Sequence, residues 1–238
     1  MEYRYTAVIL KKRDVNETDR LYTFLTREAG KVQAIARGVR KPEAKLAGQL
    51  ETLMLGGIIV AKGRGKGNVT GAIAEEYFPG LRTDETLLPM AMEAAGMLDR
   101  ILGEGEADEE LFRLVTTFLF ALEDCATRRE YGTAKLFLEG FFIHLLSMLG
   151  YRIVAGRCAG GGEPLVRGER HAFSPEIGGI VCETHRGARS MSVSENGVKL
   201  LRLFLANPIE SLGRVRVGED GLAELEAMRK FFFRYILG

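Results

Sequence analysis

The sequence predicts a multidomain protein of mixed α and β structure, with a small five-stranded β-barrel first and an all-α region after it. An irregular insertion interrupts the helical region. Three observations carry this. Residues 1–80 hold five short apolar runs separated by turn residues. From residue 81 the apolar spacing changes from a period of two to that of a helix. Residues 151–190 show neither period and contain eight glycines.

The strand-like runs are Tyr5–Leu10, Leu21–Thr26, Lys31–Ala36, Leu50–Ile59 and Val69–Ala74. Turn chemistry bounds each of them: Asp14 to Asp19, Glu28-Ala29-Gly30, Gly38 with Pro42, and the Gly63–Gly67 cluster. In the third run Val32, Ala34 and Ala36 alternate with Lys31, Gln33, Ile35 and Arg37, as expected for a half-exposed strand. Five strands in about 75 residues suit an OB-type barrel, whereas a sandwich usually needs about seven.

Charge is distributed unevenly along the chain. The net charge is +1. Residues 1–80 carry 14 Lys/Arg against 9 Asp/Glu, residues 81–150 carry 6 against 13, and residues 151–238 carry 13 against 10. An acidic middle between two basic ends suggests modules with different partners. The third strand runs into a loop bearing Arg37, Arg40, Lys41 and Lys45, and no acidic residue lies between Gly30 and Glu43. A barrel strand that ends in cations can seat a polyanion backbone. Lys62–Asn68 adds three cations among three glycines as a basic hairpin tip. It lacks the P-loop spacing, and no helix follows it to bind a pyrophosphate. The predicted contact set is Lys31, Arg37, Arg40, Lys41, Lys45, Arg64 and Lys66.

Helical spacing covers Leu87–Leu102, Glu109–Leu122 and Thr133–Leu149. Thr83 or Asp84 can cap the first helix and Asp108 the second. The third is apolar all round, which places it at the centre of a bundle, and Gly150 stops it. After residue 190, Ser192-Val-Ser-Glu195 has the form of a capping box, followed by a helix with Val198, Leu201, Phe204 and Leu205 on one face. Pro208 ends that helix, and a last one runs from Gly221 to Leu237. The expected division is a barrel domain at 1–80, helical parts at 81–150 and 191–238, and the insertion at 151–190.

Several function classes recede. No apolar run approaches the ~18 residues of a membrane span, and the N-terminus has no secretory pattern. Three cysteines, an odd number, argue for a reducing cytoplasm. Cys125 reads as a buried core thiol. Cysteine–histidine nucleophile pairs from Cys158, Cys182, His171 and His185 would lie in a loop spaced like a degraded metal site. His144 sits on the apolar helix as a core histidine. Glu75-Glu76 and Glu109-Glu110 are adjacent, so their carboxylates point apart. The chain reads as non-enzymatic.

In these features the sequence resembles the bacterial recombination mediator RecO family. The likeness begins with Thr6-Ala-Val-Ile-Leu10, Asp14 and Glu17-Thr-Asp-Arg-Leu21. It continues through Thr26-Arg-Glu-Ala-Gly-Lys31, Ala36-Arg-Gly-Val-Arg40, Lys45-Leu46 and Gly48. Leu149-Gly150-Tyr151, Phe173-Ser174 and Gly178-Gly-Ile-Val-Cys182 complete it. The resemblance implies an OB domain, a helical domain and a small zinc-finger-like insertion. It also implies binding of single- and double-stranded DNA, annealing of complementary strands and, with RecR, loading of RecA onto strands coated by single-strand binding protein. A nucleoid-associated place in the cytoplasm follows. The acidic, apolar-ended tail of that binding protein would need a basic rim, for which Arg128, Arg129 and Lys135 are candidates.

This chain departs from the family in the insertion. Where many members carry two C-x-x-C pairs, it has Cys158-Ala-Gly-Gly161 and Cys182-Glu-Thr-His185. Cys158, Cys182 and His185 are the ligands left for a structural zinc, with His171 or Glu163 as a fourth. The missing thiolate points instead to a vestigial finger held by packing, and no cofactor is expected. A protein-binding scaffold and an RNA-binding barrel remain as alternative readings of the cationic surface.

Overall fold

The structure, a computed structural model, describes residues 1–63 and 65–238. The chain forms two compact units, Met1–Tyr131 and Gly132–Gly238.

The first unit opens with strands β1 (Glu2–Asp14), β2 (Arg20–Thr26), β3 (Gly30–Ala36), β4 (Leu55–Ala61) and β5 (Gly67–Glu76). They close into a barrel in the order β1-β2-β3-β5-β4, with β4 pairing back to β1. All neighbours are antiparallel except β3 and β5, which meet in parallel at Ala34–Gly67 and Ile35–Asn68. The alternation read in β3 is present, with Val32, Ala34 and Ala36 buried and Lys31, Gln33 and Ile35 less so. Tyr5, Ala7, Ile9, Tyr22, Phe24, Ala34, Ile58, Val60 and Val69 fill the interior. The fourth strand starts at Leu55, five residues later than the apolar run suggests. Leu50, Leu53 and Met54 are buried but belong to a turn that crosses to the barrel, so their hydrophobicity reports burial without extended backbone.

Three helices follow: α1 (Pro79–Thr83), α2 (Leu87–Ile101) and α3 (Glu109–Arg128). The Asp84 carboxylate accepts from the backbone N–H of Thr86 and Leu87, both at 2.9 Å, at the start of α2. Asp108 caps α3 by accepting from Leu111 N–H at 2.9 Å. Cys125 is buried within α3, and burial pushes its thiol up to about 11, the state of an inert core cysteine.

The second unit is built on α4 (Tyr131–Met148), which is buried around its whole circumference from Leu136 to Leu146 except at His144. It ends at Gly150, where Tyr151 N–H donates to Leu146 O at 2.9 Å and Gly150 N–H to Ser147 O at 3.2 Å. That pair of bonds satisfies carbonyls that the helix end would otherwise leave open. The insertion is not structureless. It contains β6 (His171–Ser174) and β7 (Gly179–Cys182), joined with β8 (Met191–Val193) into a sheet of order β7-β6-β8. Strands of three or four residues are too short to show a period of two. Ser192 lies in β8, so the N-cap of α5 (Glu195–Ala206) is Ser194, whose hydroxyl accepts from Gly197 N–H at 3.0 Å. The last helix is α6 (Glu219–Leu237). Its Phe232 meets Phe173 of the sheet edge-on at 5.5 Å, and Phe233 meets Phe142 of α4 at 5.1 Å. Among the described residues, no helix is long and apolar enough to cross a membrane.

Candidate nucleic-acid interface

The turn between β1 and β2 and the loop after β3 are built as one unit. The Asn16 side-chain carbonyl accepts from Thr18 N–H at 2.9 Å and Asp19 N–H at 2.8 Å, an Asx turn that presents the Asp19 carboxylate. That carboxylate accepts from Gly38 N–H at 2.8 Å. The backbone N–H of Arg40 donates to Thr18 O at 3.0 Å. Gly38 adopts a φ of +64°, which a residue without Cβ holds without strain. The hydrogen bond from Gly38, followed by those from Asn16 and Thr18, holds the Asp19 carboxyl below its usual range. Val39 and Leu50 are buried in the barrel core and Leu46 packs against it. Apolar anchors thus alternate with cations along a short loop, which keeps its charged side chains in water while its backbone is fixed.

The predicted residues separate into three groups. Arg37, Arg40, Lys41 and Lys45 are all exposed on this loop. Among the described residues Arg37, Lys41 and Lys45 make no ion pair within 4 Å. Arg40 donates to Asn16 O at 2.8 Å and stands 3.4 Å from Asp14, a half-exposed carboxylate shared with Arg20. Arg20, then Arg40 and Lys12, keep the Asp14 carboxyl below its ordinary value. Arg13, next to Asp14 in the chain, is a further exposed cation at the end of β1; its place in a strand sets it apart from the basic run in sequence.

Lys31 does not join the exposed set. Its side chain is only 9% exposed, and its ammonium lies 3.3 Å from Asp99 Oδ1 and donates to the carbonyl oxygens of Asp99 and of Leu102 (3.0 Å for the latter). It closes the C-terminal end of α2, where a cation complements the helix dipole. The alternation of β3 correctly turned Lys31 outward, but the helix that covers that position was invisible to it. Lys66 is exposed and donates to Gln33 at 2.8 Å, while Arg64 lies outside the described residues. Exposed Lys62, on the same hairpin, stands over the Tyr3 ring at 5.1 Å. Between the hairpin and β3 runs an open groove of about 700 Å³ whose walls, among the described residues, include the cations Lys31, Lys62 and Lys66 and the carboxylates Glu28, Glu104 and Glu106. Its charges balance, so the loop after β3 is the more cationic surface.

Two family models cover nearly the whole chain. "Recombination protein O N terminal" matches residues 1–78, and "Recombination protein O C terminal" matches residues 88–238. The chain belongs to the recombination protein O family. Proteins named DNA repair protein RecO are similar over its full length. That of Dehalococcoides mccartyi (strain ATCC BAA-2266 / KCTC 15142 / 195) is 30% identical over 237 residues, covering 99% of this chain and 91% of the relative. The Roseiflexus sp. (strain RS-1) protein is 33% identical over 99% of this chain and 81% of the relative. That of Heliobacterium modesticaldum is 34% identical over 96% and 82%.

In this RecO-family chain the C-terminal match contains the other candidates. Arg128 closes an i,i+4 pair with Asp124 at 3.0 Å at the end of α3, and exposed Arg129 takes the left-handed position just past it. Lys135 is exposed on the first turns of α4, in the second unit. In the insertion Cys158, Cys182 and His185 do come together, and Glu163 joins them; one ligand atom from each lies within 4.8 Å of the others. His171 does not join. It is buried, and both ring nitrogens lack a partner. The hydrogen bond from the Cys182 thiol holds the Glu163 carboxyl down at about 2. The chemistry of this donor set fits a soft divalent ion such as zinc.

Proposed function

We propose that this RecO-family chain is a DNA repair and recombination mediator that binds single- and double-stranded DNA on the loop after β3 and performs no covalent chemistry. The observation that carries the reading is the display of Arg37, Arg40, Lys41 and Lys45 in water, on a loop pinned to the barrel by Val39, Leu46 and Leu50. Phosphates neutralised there release counterions, which drives binding without reading base sequence. Lys62 and Lys66 extend the cationic surface beside β3. Gln33 and Arg37 are four residues apart, about 13 Å along the strand direction. Neutralising two backbones lets complementary strands approach, which accounts for annealing.

Family membership supports the further proposed roles. The chain, with RecR, helps load RecA onto strands coated by single-strand binding protein, and Arg128, Arg129 and Lys135 are the proposed contacts for that protein's acidic tail. Its proposed place is the cytoplasm, at the nucleoid. The reading is tested by annealing of complementary oligonucleotides, alone and coated with single-strand binding protein, with an RNA competitor of equal length. Annealing that survives coating and an equal mass of RNA supports it. Preferential capture of RNA would contradict it.

A further inference from the structure

We propose that a surface pocket between α5, β6 and the loop 165–167 is a binding site for one phosphate-type dianion, held by Arg167, Lys199, Arg202 and the His171 imidazole. The inference goes beyond the proposed DNA contacts and does not rest on where DNA docks. The pocket lies wholly within the second unit.

Helix periodicity places one wall. Glu195, Val198, Lys199 and Arg202 follow one another along α5 at the spacing that puts side chains on a single face. The loop 165–167 forms another wall, and His171, the first residue of β6, completes the lining. Register fixes His171: it lies in the middle strand of its sheet, opposite Cys182 of β7 and Val193 of β8. The loop is tied to the helix by Gly168 N–H, which donates to Glu195 Oε1 at 2.5 Å. Leu165 packs on the small core of Cys158, Ala172 and Val181.

The polar groups suit an anion. His171 is only 6% exposed, and both of its ring nitrogens are buried without a partner. An imidazole carries at least one N–H in either protonation state, and leaving it unpaired costs free energy that an acceptor in the pocket would recover. Arg202 donates Nε–H to Ala155 O at 2.6 Å and Nη2–H to Gly156 O at 3.4 Å, which holds its guanidinium in place and leaves Nη1 for a ligand. Lys199 is exposed and, among the described residues, makes no ion pair within 4 Å. Arg167 stands 3.6 Å from Glu195 Oε2.

Charge and size name the ligand. Three cations against the single carboxylate of Glu195 leave the lining at +2, counting His171 as neutral. A phosphate group with one ester bond or none carries about −1.5 to −2 at neutral pH and offers three strong acceptor oxygens, so it balances that charge and meets donors from several directions. A carboxylate would leave net positive charge, and its planar fork suits one guanidinium better than donors on α5, β6 and the loop together. Pockets for drug-sized organic ligands run from about 300 Å³ upward, whereas this one has about 160 Å³, room for a single small group. The Glu195 carboxylate opposes an anion, but both of its oxygens are engaged, one by Gly168 N–H and the other by Arg167.

The test is isothermal titration calorimetry of the full-length chain with inorganic phosphate and with methyl phosphate, the ionic strength held constant with sodium chloride. The proposal expects saturable binding of one phosphate group per chain. Lys199→Gln changes an exposed side chain, so it folds, as far-ultraviolet circular dichroism will verify. It should weaken binding at least ~10-fold, the effect of losing one charged hydrogen bond. His171→Phe, which keeps an aromatic ring and removes both nitrogens, should weaken it as well. The triple variant Arg37→Glu, Arg40→Glu, Lys41→Glu should bind phosphate as the parent does, so this site and the DNA-docking loop fail or stand separately. Oligonucleotides bearing a 5′-phosphate or a 5′-hydroxyl distinguish the sources. A phosphorylated strand that displaces methyl phosphate where its hydroxyl counterpart does not assigns the site to strand ends, and binding of inorganic phosphate alone assigns it to the free ion. No saturable binding of either phosphate at millimolar concentration, or a Lys199→Gln variant that binds as tightly as the parent, overturns the assignment.

Discussion

The Asp19 carboxylate accepts a hydrogen bond from the backbone N–H of Gly38 at 2.8 Å, joining the turn after β1 to the cationic loop after β3. This separates two contributions to DNA binding. Charge alone predicts that removing Asp19 strengthens binding, because one repelling carboxylate is gone. Loop order predicts the opposite. Asp19→Ala should lower oligonucleotide affinity several-fold, while Asp19→Asn, which keeps the acceptor oxygen and removes the charge, should not. Fluorescence anisotropy titrations of both variants check it. The sign with pH follows from the depressed carboxyl: its contribution is present above its ordinary value of 3.8 and is lost as pH falls through the lower folded value.

Lys31 should behave as a structural residue. Lys31→Met removes the ammonium from Asp99 and from the carbonyls at the end of α2. The expected cost is ~1–3 kcal/mol of stability, the size of a lost charged hydrogen bond. The salt dependence of DNA binding should stay unchanged. Urea unfolding beside a salt titration distinguishes the two effects.

How much of this was legible in the sequence depends on the range of the signal. Strand positions in the barrel, apart from the start of β4, and the all-round burial of α4 follow from local period, so they could be read directly. The exposure of Arg37 and Lys41 could also be read, because no acidic residue lies between Gly30 and Glu43. The low exposure of Lys31 was not legible, because its partner Asp99 lies 68 residues away on a helix. The sheet in the insertion was missed because its strands are shorter than a detectable period. Glu163 was one of two candidates for a fourth ligand, and only the fold of the Cys158–Glu163 loop separates it from His171.

The buried pair Glu139–Arg229 offers a test of the second unit. Arg229 Nε lies 3.0 and 3.1 Å from the two carboxylate oxygens, both side chains are about 5% exposed or less, and the guanidinium stacks over Phe142 at 4.6 Å. Glu139→Ala leaves a buried cation and should cost ~3–5 kcal/mol. Glu139→Leu combined with Arg229→Met should cost much less than the sum of the single changes. A double-mutant cycle by chemical denaturation measures this.

His144 should give the second unit a stability that falls in mild acid. Burial lowers its pKa below 6.5, and its Nε2–H donates to Asn207 O at 3.0 Å. Above both values protonation plays no part. As pH drops below 6.5 the unfolded chain takes up a proton that the folded chain resists, so stability falls. His144→Gln should lose that part of the slope between pH 7.5 and 5.5, measured as the difference from the parent in urea midpoints.

The central claim is that DNA docks by charge on the loop after β3. It is tested most directly by the salt dependence of single-stranded oligonucleotide affinity for the parent and for the triple variant Arg37→Glu, Arg40→Glu, Lys41→Glu. With about 0.7 counterions released per phosphate contact, the account predicts that the slope of log K against log salt falls by about 2 and that annealing is lost. A triple variant that folds normally, binds with the parent's slope and still anneals would contradict it.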